Sequence, residues 1–561
     1  MDDRTIVPTE TRPNQTIGAT LPPSEQLEHV ARPPAGQEVP HVMIEAGRLQ
    51  ELHQRRSPVT SLPPEILAYI FELYVSRLWG LTPDVIPAQG PFTLAQVCKL
   101  WRGVAESDPH LWTSVHFYFP ESHHSREEDV PRVKPVFDLH LKRSGMLPIS
   151  LTFTDRRIYH PGTEDLITLL VDRLRTHARR WKCISLHLSC DYFPLLSTFT
   201  SCDLPSLEHL YIIGDVVITR PITFLLNLES ATKLKSFAYS GPGPSVGDSI
   251  QLRWESLAEV SFEFAPRCGL SFLSRQFNHL AQCQNISTCS LGIDRAWDLH
   301  GGQPIILPSP QPITLPCLQT LRVRRLSPNA HARSAIDLLI LPQLQTLEID
   351  ASFLVNSNED WQDRSFSDLL SRSGCTLLHL SIQDVHFPND ELVRCLALSP
   401  ALTSLRFIPC PRSQNISDVI RKINVSRTLT DGQGHRQRRV ADSGPLVPKL
   451  REITLASSVE GYLDLMMAMF RSRTGSRARA AQVAALRRAK VVFFDLWHDT
   501  DVDRVRAPGP RSGRVASFRE DLARWVSENR NENGQEGEDW YKLEASVVMD
   551  SPYFAEYINV G

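Results

Sequence analysis

A serine between glycines is the most specific catalytic signature in this 561-residue sequence. The run Gly243-Pro244-Ser245-Val246-Gly247 matches G-x-S-x-G, a turn that can present a serine hydroxyl for attack on an acyl carbon. Such a turn must follow a strand and directly precede a helix. A strand over 234–239 is predicted, but Gly247-Asp248-Ser249 leads into no apolar helix. We predict a loop, with a hydrolase as an alternative that loss of activity in Ser245→Ala would reveal.

Other residues with catalytic or metal-binding potential lack the partners that such chemistry needs. His123 and His124 lie in a charged stretch that offers no further metal ligand at a regular spacing. His498 lies among four aspartates but also lacks a third catalytic group at a fixed spacing; the aspartates are Asp495, Asp499, Asp501 and Asp503. The sequence contains no phosphate-binding loop, dinucleotide fingerprint or H-E-x-x-H motif. Its 11 cysteines include no C-x-x-C pair. We predict a protein that is not an enzyme and that takes no cofactor or metal.

The segment 471–490 holds seven basic residues and no acidic one, which could attract phosphate groups. Ala480, Val483, Ala484 and Leu486 favour a second interpretation, an amphipathic helix with a solvated outer face. The whole chain has 60 basic and 63 acidic residues, a net charge of −3, so nucleic acid is not an expected partner. Whether the basic segment binds anything stays open at this stage.

The sequence predicts a protein of the cytoplasm and/or nucleus. No apolar run reaches the roughly 18 residues of a membrane span, and no secretory signal pattern is present, so a membrane partner is not expected. Scattered, unpaired cysteines are typical of a reducing compartment. Residues 1–41 are rich in Pro, Thr and Gln and are predicted to be disordered, whereas 42–56 could form a short helix.

Three ordered phrases then define a small helical module. They are Leu62-Pro63-Pro64-Glu65-Ile66-Leu67 with Ile70-Phe71, Leu94 with Val97-Cys98 and Trp101-Arg102, and Leu111-Trp112. In this order the series resembles an F-box, in the form common in fungal proteins, over about residues 58–115. The segment between Arg77 and Phe92 departs from the family as an insertion, which a surface loop tolerates.

The resemblance implies a partner, the Skp-type adaptor of cullin-based ubiquitin ligases, and through it the cullin. The residues that match the family's adaptor-contacting positions are Leu62, Pro63, Ile66, Leu67, Ile70, Phe71, Val97, Cys98 and Trp101.

The remainder of the chain repeats a short phrase in which a Leu-Pro or Val-Pro turn precedes an apolar strand. Examples are Leu204-Pro205, Leu315-Pro316, Leu341-Pro342 and Val447-Pro448. The strand core L-x-x-L-x-L recurs at steps of 23 to 33 residues between 181 and 402, which resembles leucine-rich repeats. The usual Asn or Cys after the third apolar residue is mostly absent, so an irregular array is expected.

The predicted fold class is α/β, a small helical F-box followed by an irregular leucine-rich-repeat-like solenoid, or horseshoe. The predicted domains are a disordered segment 1–41, a helix plus F-box 42–115, a solenoid 116–500 with a mobile loop near 421–446, and a polar segment 501–561. The exposed strand positions of such an array face a target protein, which the sequence does not identify. At those positions stand Tyr211, Arg322, Arg324, Glu348, Asp350, Gln383 and Arg406.

Together these features predict a substrate-recognition subunit of an SCF-type ubiquitin ligase that acts by proximity and performs no bond chemistry itself. The alternative is an interaction scaffold that acts independently of the ligase.

Overall fold

A computed structural model gives the structure of the chain, which is described here for a defined set of residues. These are 62–77, 90–119, 129–155, 163–200, 202–215, 225–241, 250–264, 277–292, 312–324, 336–350, 364–385, 387–409, 417–424, 428–430, 436–438, 446–457, 462–473, 478, 481–494, 517–518, 520–525, 527 and 544–550. The predicted disordered segment and the helix over 42–56 therefore lie outside the described residues.

The described part of the chain begins with a small helical module. Helix α1 (Pro64–Arg77) is followed by α2 (Pro91–Val97), α3 (Lys99–Ser107) and a 3-10 turn (Pro109–Trp112). The apolar spacing of Leu94, Trp101 and Val104 would suit one helix, but the structure divides this stretch into two helices at Cys98. Cys98 has an extended backbone, and its Sγ accepts a hydrogen bond from the Trp101 N–H at 3.5 Å, so Cys98 caps a second helix.

A 14-stranded parallel sheet follows, in which the strands pair in chain order. Its strands are β1 (Ser114–Phe119), β2 (Ile149–Asp155), β3 (Trp181–Ser189), β4 (His209–Asp215), β6 (Ser236–Gly241), β8 (Glu259–Phe264), β9 (Thr288–Gly292), β11 (Thr320–Arg324), β13 (Thr346–Asp350), β14 (His379–Val385), β15 (Ser404–Pro409), β18 (Glu452–Ser457), β19 (Arg488–Phe494) and β20 (Glu544–Asp550). Because each strand pairs with its neighbours in sequence, the unit is a repeat solenoid, as predicted.

Equivalent residues of the strands form rows across the sheet, with the register shifting only at Ile149 in the β2–β3 pair and near Val385 in the β14–β15 pair. Leu321 pairs with Leu347 and Val323 with Ile349, and all four are buried. Alternate residues face the other side of the sheet, as the period of two in a strand requires. The apolar core therefore lies on one face, and the polar strand positions form a second, solvent face.

The Leu-Pro phrase forms a tight turn before the strands that it precedes. The Leu318 N–H donates to the Leu315 carbonyl at 3.3 Å, and the Leu344 N–H donates to the Leu341 carbonyl at 3.2 Å. Proline suits the second position of such a turn, and all four of these leucines are fully buried. The turns thus anchor each repeat in the core just before its strand begins.

Helices and short strands cover the core face. The helices are α4 (Asp129–Arg143), α5 (Thr163–Thr176), α6 (Phe193–Thr200), α7 (Ser365–Ser373), α8 (Asn389–Ala397), α9 (Ser417–Ile423) and α10 (Leu463–Ser472). Two short parallel ladders join β5 (Leu226–Asn227) to β7 (Ile250–Gln251) and β10 (Ile313–Thr314) to β12 (Leu339–Ile340). The chain thus alternates strands with outer-layer elements, which places the fold in the predicted α/β class.

Arginine side chains, one buried and two half-buried, join neighbouring repeats at three places. Arg180 donates to the Leu141 and Leu147 carbonyls, and Arg372 donates to the Ile336 and Leu339 carbonyls. Arg473, which is fully buried after α10, donates to the Ile423, Leu446 and Val447 carbonyls at 3.0, 2.7 and 3.1 Å.

Two of these carbonyls, those of Leu141 and Ile423, belong to the last turns of α4 and α9, where carbonyls lack intrahelical partners. Burial lowers the pKa of Arg473 to about 10, so this side chain remains charged at neutral pH.

The structure describes elements in three segments that the sequence left as a basic run, a loop and a polar end. In the basic segment, α10 ends at Ser472, residues 481–486 form a turn and irregular chain, and Val483 and Leu486 are buried. The predicted loop near 421–446 contains the end of α9 and an antiparallel pair, β16 (Thr428–Thr430) with β17 (Arg436–Arg438). Beyond residue 500, β20 joins the sheet, and the Trp525 ring packs 5.8 Å from that of Phe470.

In the part of the chain that the structure describes, no helix has the length and apolar character needed to cross a membrane.

Candidate partner-binding surfaces

An apolar stripe on α1 is the largest group of exposed hydrophobic side chains in the helical module. Its residues are spaced at i, i+3, i+4, i+7 and i+8, so they share one side of the helix. They are Ile66, Tyr69, Ile70, Leu73 and Tyr74, with exposed fractions of 48, 60, 43, 44 and 39%. Val97 and Leu100 add 57 and 38% from the neighbouring α2 and α3. We call these seven residues the apolar stripe.

The opposite side of α1 holds the module together. Leu67 and Phe71 are 1% exposed, and the Phe71 ring lies 4.8 Å from that of Trp101. Direct contact of Leu67 and Phe71 with a partner, as the family resemblance implies, is therefore incompatible with their burial in the chain itself. They support the apolar stripe from beneath, because their packing fixes α1 against α3.

The other residues predicted to contact an adaptor differ in exposure. Pro63, Ile66, Ile70 and Val97 are exposed, whereas Leu62, Cys98 and Trp101 are half-buried. Tyr69, Leu73, Tyr74 and Leu100 were not among the predicted contacts, although they belong to the same stripe. The helical spacing of Tyr69, Leu73 and Tyr74 relative to Ile66 was the signal that could have identified these three, whereas Leu100 lies on another helix.

A cluster of rings joins the helical module to the first repeat. Trp112 is fully buried, and its Nε1–H donates to the Ala105 carbonyl at 2.7 Å. His140 of α4 lies against it with ring centroids 5.0 Å apart, and the His140 Nδ1–H donates to the Trp112 carbonyl at 3.2 Å. Arg143 sits over the Trp112 ring at 4.4 Å and pairs with Glu106 at 3.1 Å. These contacts link α3 and the 3-10 turn directly to α4.

The His140 ring makes this junction sensitive to acid. Burial lowers the pKa of His140 to about 4, and the nearby positive charges of His116 and Arg143 lower it further, while the bond to the Trp112 carbonyl opposes the shift. The unfolded chain binds this proton near pH 6.5, but the folded chain binds it only near pH 4. The free energy of unfolding should therefore fall by about 3 kcal/mol as the pH decreases through this window.

Replacing His140 with Gln tests this prediction, because the amide can still donate to the carbonyl but cannot titrate. Urea unfolding between pH 4 and pH 7 should show a shallower loss of stability in His140→Gln than in the parent chain. His110→Gln, at an exposed position in the adjoining turn, serves as the control and should keep the parent slope. An unchanged slope in His140→Gln would contradict the assignment.

A second surface is the solvent face of the sheet, where the predicted target-contacting residues lie. Several of them pair across neighbouring strands. The Arg322 Nε–H donates to a Glu348 carboxylate oxygen at 2.9 Å, and the Arg406 Nη2–H donates to Gln383 Oε1 at 3.2 Å. Arg324 and Asp350 occupy paired register positions on β11 and β13. The charges on these strands therefore largely offset one another.

Tyr211 begins a chain of hydrogen bonds on the same face. The Ser236 hydroxyl donates to Glu259 at 3.0 Å, so the Tyr211 hydroxyl, 3.1 Å from Ser236 Oγ, is the donor in that contact. Burial raises the pKa of Tyr211, chiefly by desolvation. The arrangement holds the tyrosine ring in one position on the face.

Metal binding and thiol chemistry find little support among the described side chains. No group of three or more His, Cys, Asp or Glu residues could hold a metal ion there. Burial raises the pKa of the Cys183 thiol to about 11 and that of Cys283 to about 12, so both remain protonated at neutral pH and are poor nucleophiles. Ser245, the His123-His124 pair and the aspartates around His498 lie outside the described residues.

Comparisons with known proteins assign one region. Residues 59–118 match the F-box-like family. No curated protein matches the chain. Among solved structures, an internalin from Listeria monocytogenes str. 4b F2365 is similar, at 12% identity and a TM-score of 0.25 over 71% of this chain and 96% of the internalin.

Proposed function

We propose that this chain, which carries an F-box-like domain ahead of a parallel repeat array, is a substrate-recognition subunit of an SCF-type ubiquitin ligase. The observation that carries the proposal is the apolar stripe, which lies within the matched residues 59–118. Seven large apolar side chains on neighbouring helices leave a contiguous surface in water, and such a patch is typical of a protein interface.

The proposed occupant of the apolar stripe is the Skp-type adaptor, and the cullin is held through it. F-box domains generally bind this adaptor, which supports the assignment. Ile66, Ile70 and Val97 provide the contacts, together with Tyr69 and Tyr74. Tyrosines suit such a role because they bury a large area at a low cost in conformational entropy.

The repeat array is the proposed receptor for a target protein, through the solvent face of its sheet. Holding the target beside a charged ubiquitin-conjugating enzyme raises the effective concentration of its lysines. The ring cluster of Trp112, His140 and Arg143 supports this mechanism, because it joins the module to the array by packing as well as by the chain. The subunit itself performs no bond chemistry, and it acts in the cytoplasm and/or nucleus.

Affinity purification of the tagged full chain tests the proposal. Mass spectrometry should recover a Skp-type adaptor and a cullin together with target proteins, and cullin inhibition should slow the turnover of those targets. Recovery without the adaptor would refute the proposal. Recovery of the adaptor with targets whose turnover ignores cullin inhibition would instead favour a scaffold that acts independently of the ligase.

A further inference from the structure

A carboxylate without a counter-charge among the described residues lies on the solvent face of the sheet. Glu259, on β8, is half-buried, and its Oε2 accepts a hydrogen bond from the Ser236 hydroxyl of β6 at 3.0 Å. In the part of the chain that the structure describes, this is the one hydrogen bond of the carboxylate, and no basic side chain lies within ion-pair distance of it. Partial burial removes hydration from the negative charge, and one donor replaces only part of it. A cation would therefore be bound favourably at this point.

The neighbouring carboxylates of this face differ from Glu259, because each has a basic partner. Glu208, in the residue just before β4, lies 3.6 Å from the Lys235 Nζ. Glu348, on β13, accepts a hydrogen bond from Arg322 at 2.9 Å. Lys235, which precedes β6, is thus already paired with Glu208. These pairs leave Glu259 as the carboxylate that is open to a cation from another molecule.

Two aromatic rings lie beside this carboxylate. The Tyr211 hydroxyl donates to Ser236 Oγ at 3.1 Å, so the end of the tyrosine ring and the Glu259 carboxylate meet at the same serine. The His209 ring runs parallel to the Tyr211 ring, with an angle of 4° between the planes and 6.4 Å between the centroids. Desolvation is the main cause that raises the pKa of Tyr211, and the negative charge of Glu259 also raises it. The carboxylate and the tyrosine ring therefore act on the same small region of the face.

Small side chains surround the tyrosine ring on the neighbouring strands. Tyr211 pairs in register with Ser185 of β3 and with Ala238 of β6, and Ser261 of β8 continues this row. None of these three side chains is large enough to cover the face of a tyrosine ring. Tyr211 is half-buried, so part of its surface meets water. The face thus combines an aromatic ring, a carboxylate without a counter-charge and space for a side chain of another protein.

We propose that Glu259 and Tyr211 bind an arginine side chain of the target protein. This proposal rests on the proposed function, since it names the chemistry by which the array would recognise its target. A guanidinium group forms paired hydrogen bonds with a carboxylate, and its flat face stacks on aromatic rings. A lysine ammonium carries the same charge but lacks both the fork and the flat face, so arginine fits this pair of residues better.

Saturation-transfer difference NMR with the full chain and the peptide acetyl-Gly-Arg-Gly-amide tests this proposal, because the method detects weak ligands of large proteins. The side-chain protons of the arginine should receive saturation, and a titration at low salt gives the Kd. The same peptide with citrulline in place of arginine has nearly the same shape but no charge, so its Kd should be about tenfold higher or more. Equal binding of the two peptides would overturn the proposal, and so would absence of arginine-peptide binding.

Glu259→Gln should raise the Kd of the arginine peptide about tenfold or more, since the amide oxygen can still accept the Ser236 hydrogen bond but carries no charge. Glu229→Gln is the matched control. Glu229 is an exposed residue in the turn after β5, and its replacement changes the net charge by the same amount. The control Kd should stay within about twofold of the parent value. Equal effects of the two variants would show attraction by overall charge and overturn the proposal.

Two replacements of Tyr211 test the role of its ring. Tyr211→Phe keeps the aromatic face, so the Kd of the arginine peptide should stay within about twofold of the parent value. Tyr211→Leu removes the aromatic face and should raise the Kd about fourfold. If the leucine variant bound the peptide as tightly as the phenylalanine variant, the tyrosine ring would have no part in binding and the proposal would be wrong.

A lysine peptide and adaptor recovery complete the test. Acetyl-Gly-Lys-Gly-amide should bind more weakly than the arginine peptide, and equal or tighter binding would overturn the assignment to arginine. Adaptor recovery separates this proposal from the proposed function, because Glu259→Gln should still recover the adaptor. A parent chain that binds the arginine peptide but recovers no adaptor would refute the proposed function alone.

Discussion

Replacing Ile66 and Ile70 with aspartate should abolish co-purification of the Skp-type adaptor. Both side chains are nearly half exposed and lie one turn apart in the apolar stripe. In a complex their remaining surface would be buried, and each aspartate would bring an unpaired carboxylate into an apolar contact. Together the two changes should cost about 4 kcal/mol or more, a loss of about a thousandfold in affinity.

The matched control places aspartate at two other exposed leucines. Leu225 and Leu398 are each 43% exposed, as Ile70 is, and both lie in the repeat array. Leu225→Asp with Leu398→Asp should recover the adaptor at the parent level. Thermal unfolding of both double variants should remain close to that of the parent, because the substituted side chains are exposed. Undiminished adaptor recovery by the Ile66 and Ile70 variant would refute the assigned surface.

Replacing Arg473 with methionine should lower the free energy of unfolding by about 3–5 kcal/mol. The substitution fills similar volume but removes the donors to the Ile423 and Leu446 carbonyls, while the Val447 carbonyl keeps only the Leu450 N–H at 3.2 Å. Unsatisfied buried polar groups carry most of this cost. Urea unfolding, with hydrogen exchange resolved over β18 and α10, measures it.

Arg473→Lys should recover only part of the stability. An ammonium group donates hydrogen bonds, but it lacks the planar fork that reaches three carbonyls of two segments at once. Arg253→Met, at an exposed arginine, should change the free energy of unfolding by less than about 0.5 kcal/mol. If Arg473→Met were as stable as this control, the guanidinium would have no structural role.

The repeat architecture was predictable because apolar spacing and turn chemistry agree along the chain. Leu318 and Leu344 follow identical Leu-Pro turns, and the strands after them pair in the predicted register. The first two strands, β1 and β2, were not predicted as repeats because no Leu-x-x-Leu sequence precedes them. The helix break at Cys98 was not predictable from apolar periodicity either, because a thiol that caps a helix does not change the spacing of the apolar residues.

The surfaces were less predictable than the strands, because exposure depends on packing across elements. Ile66 and Leu67 are equally apolar neighbours, yet one is 48% exposed and the other 1%. Arg473 and Arg487 belong to one basic segment, but the first is fully buried and the second is exposed. A run of charged residues in a sequence does not show which of them form ion pairs. The ion pair of Arg322 with Glu348 depends on the pairing of two strands that are separate in the sequence.

Because the strands pair in chain order, the distance between two repeats of the sheet is a whole number of strand spacings. Eleven strand spacings separate β1, at the end of the F-box-like region, from β18 near the opposite edge of the sheet. At about 4.8 Å per spacing this is a path of about 50 Å along the sheet. Removing or adding one repeat would shift the far end of the array by about 5 Å. Under the proposed function, the array would act as a spacer of defined length, and its repeat number would decide which target lysines come within reach of ubiquitin transfer.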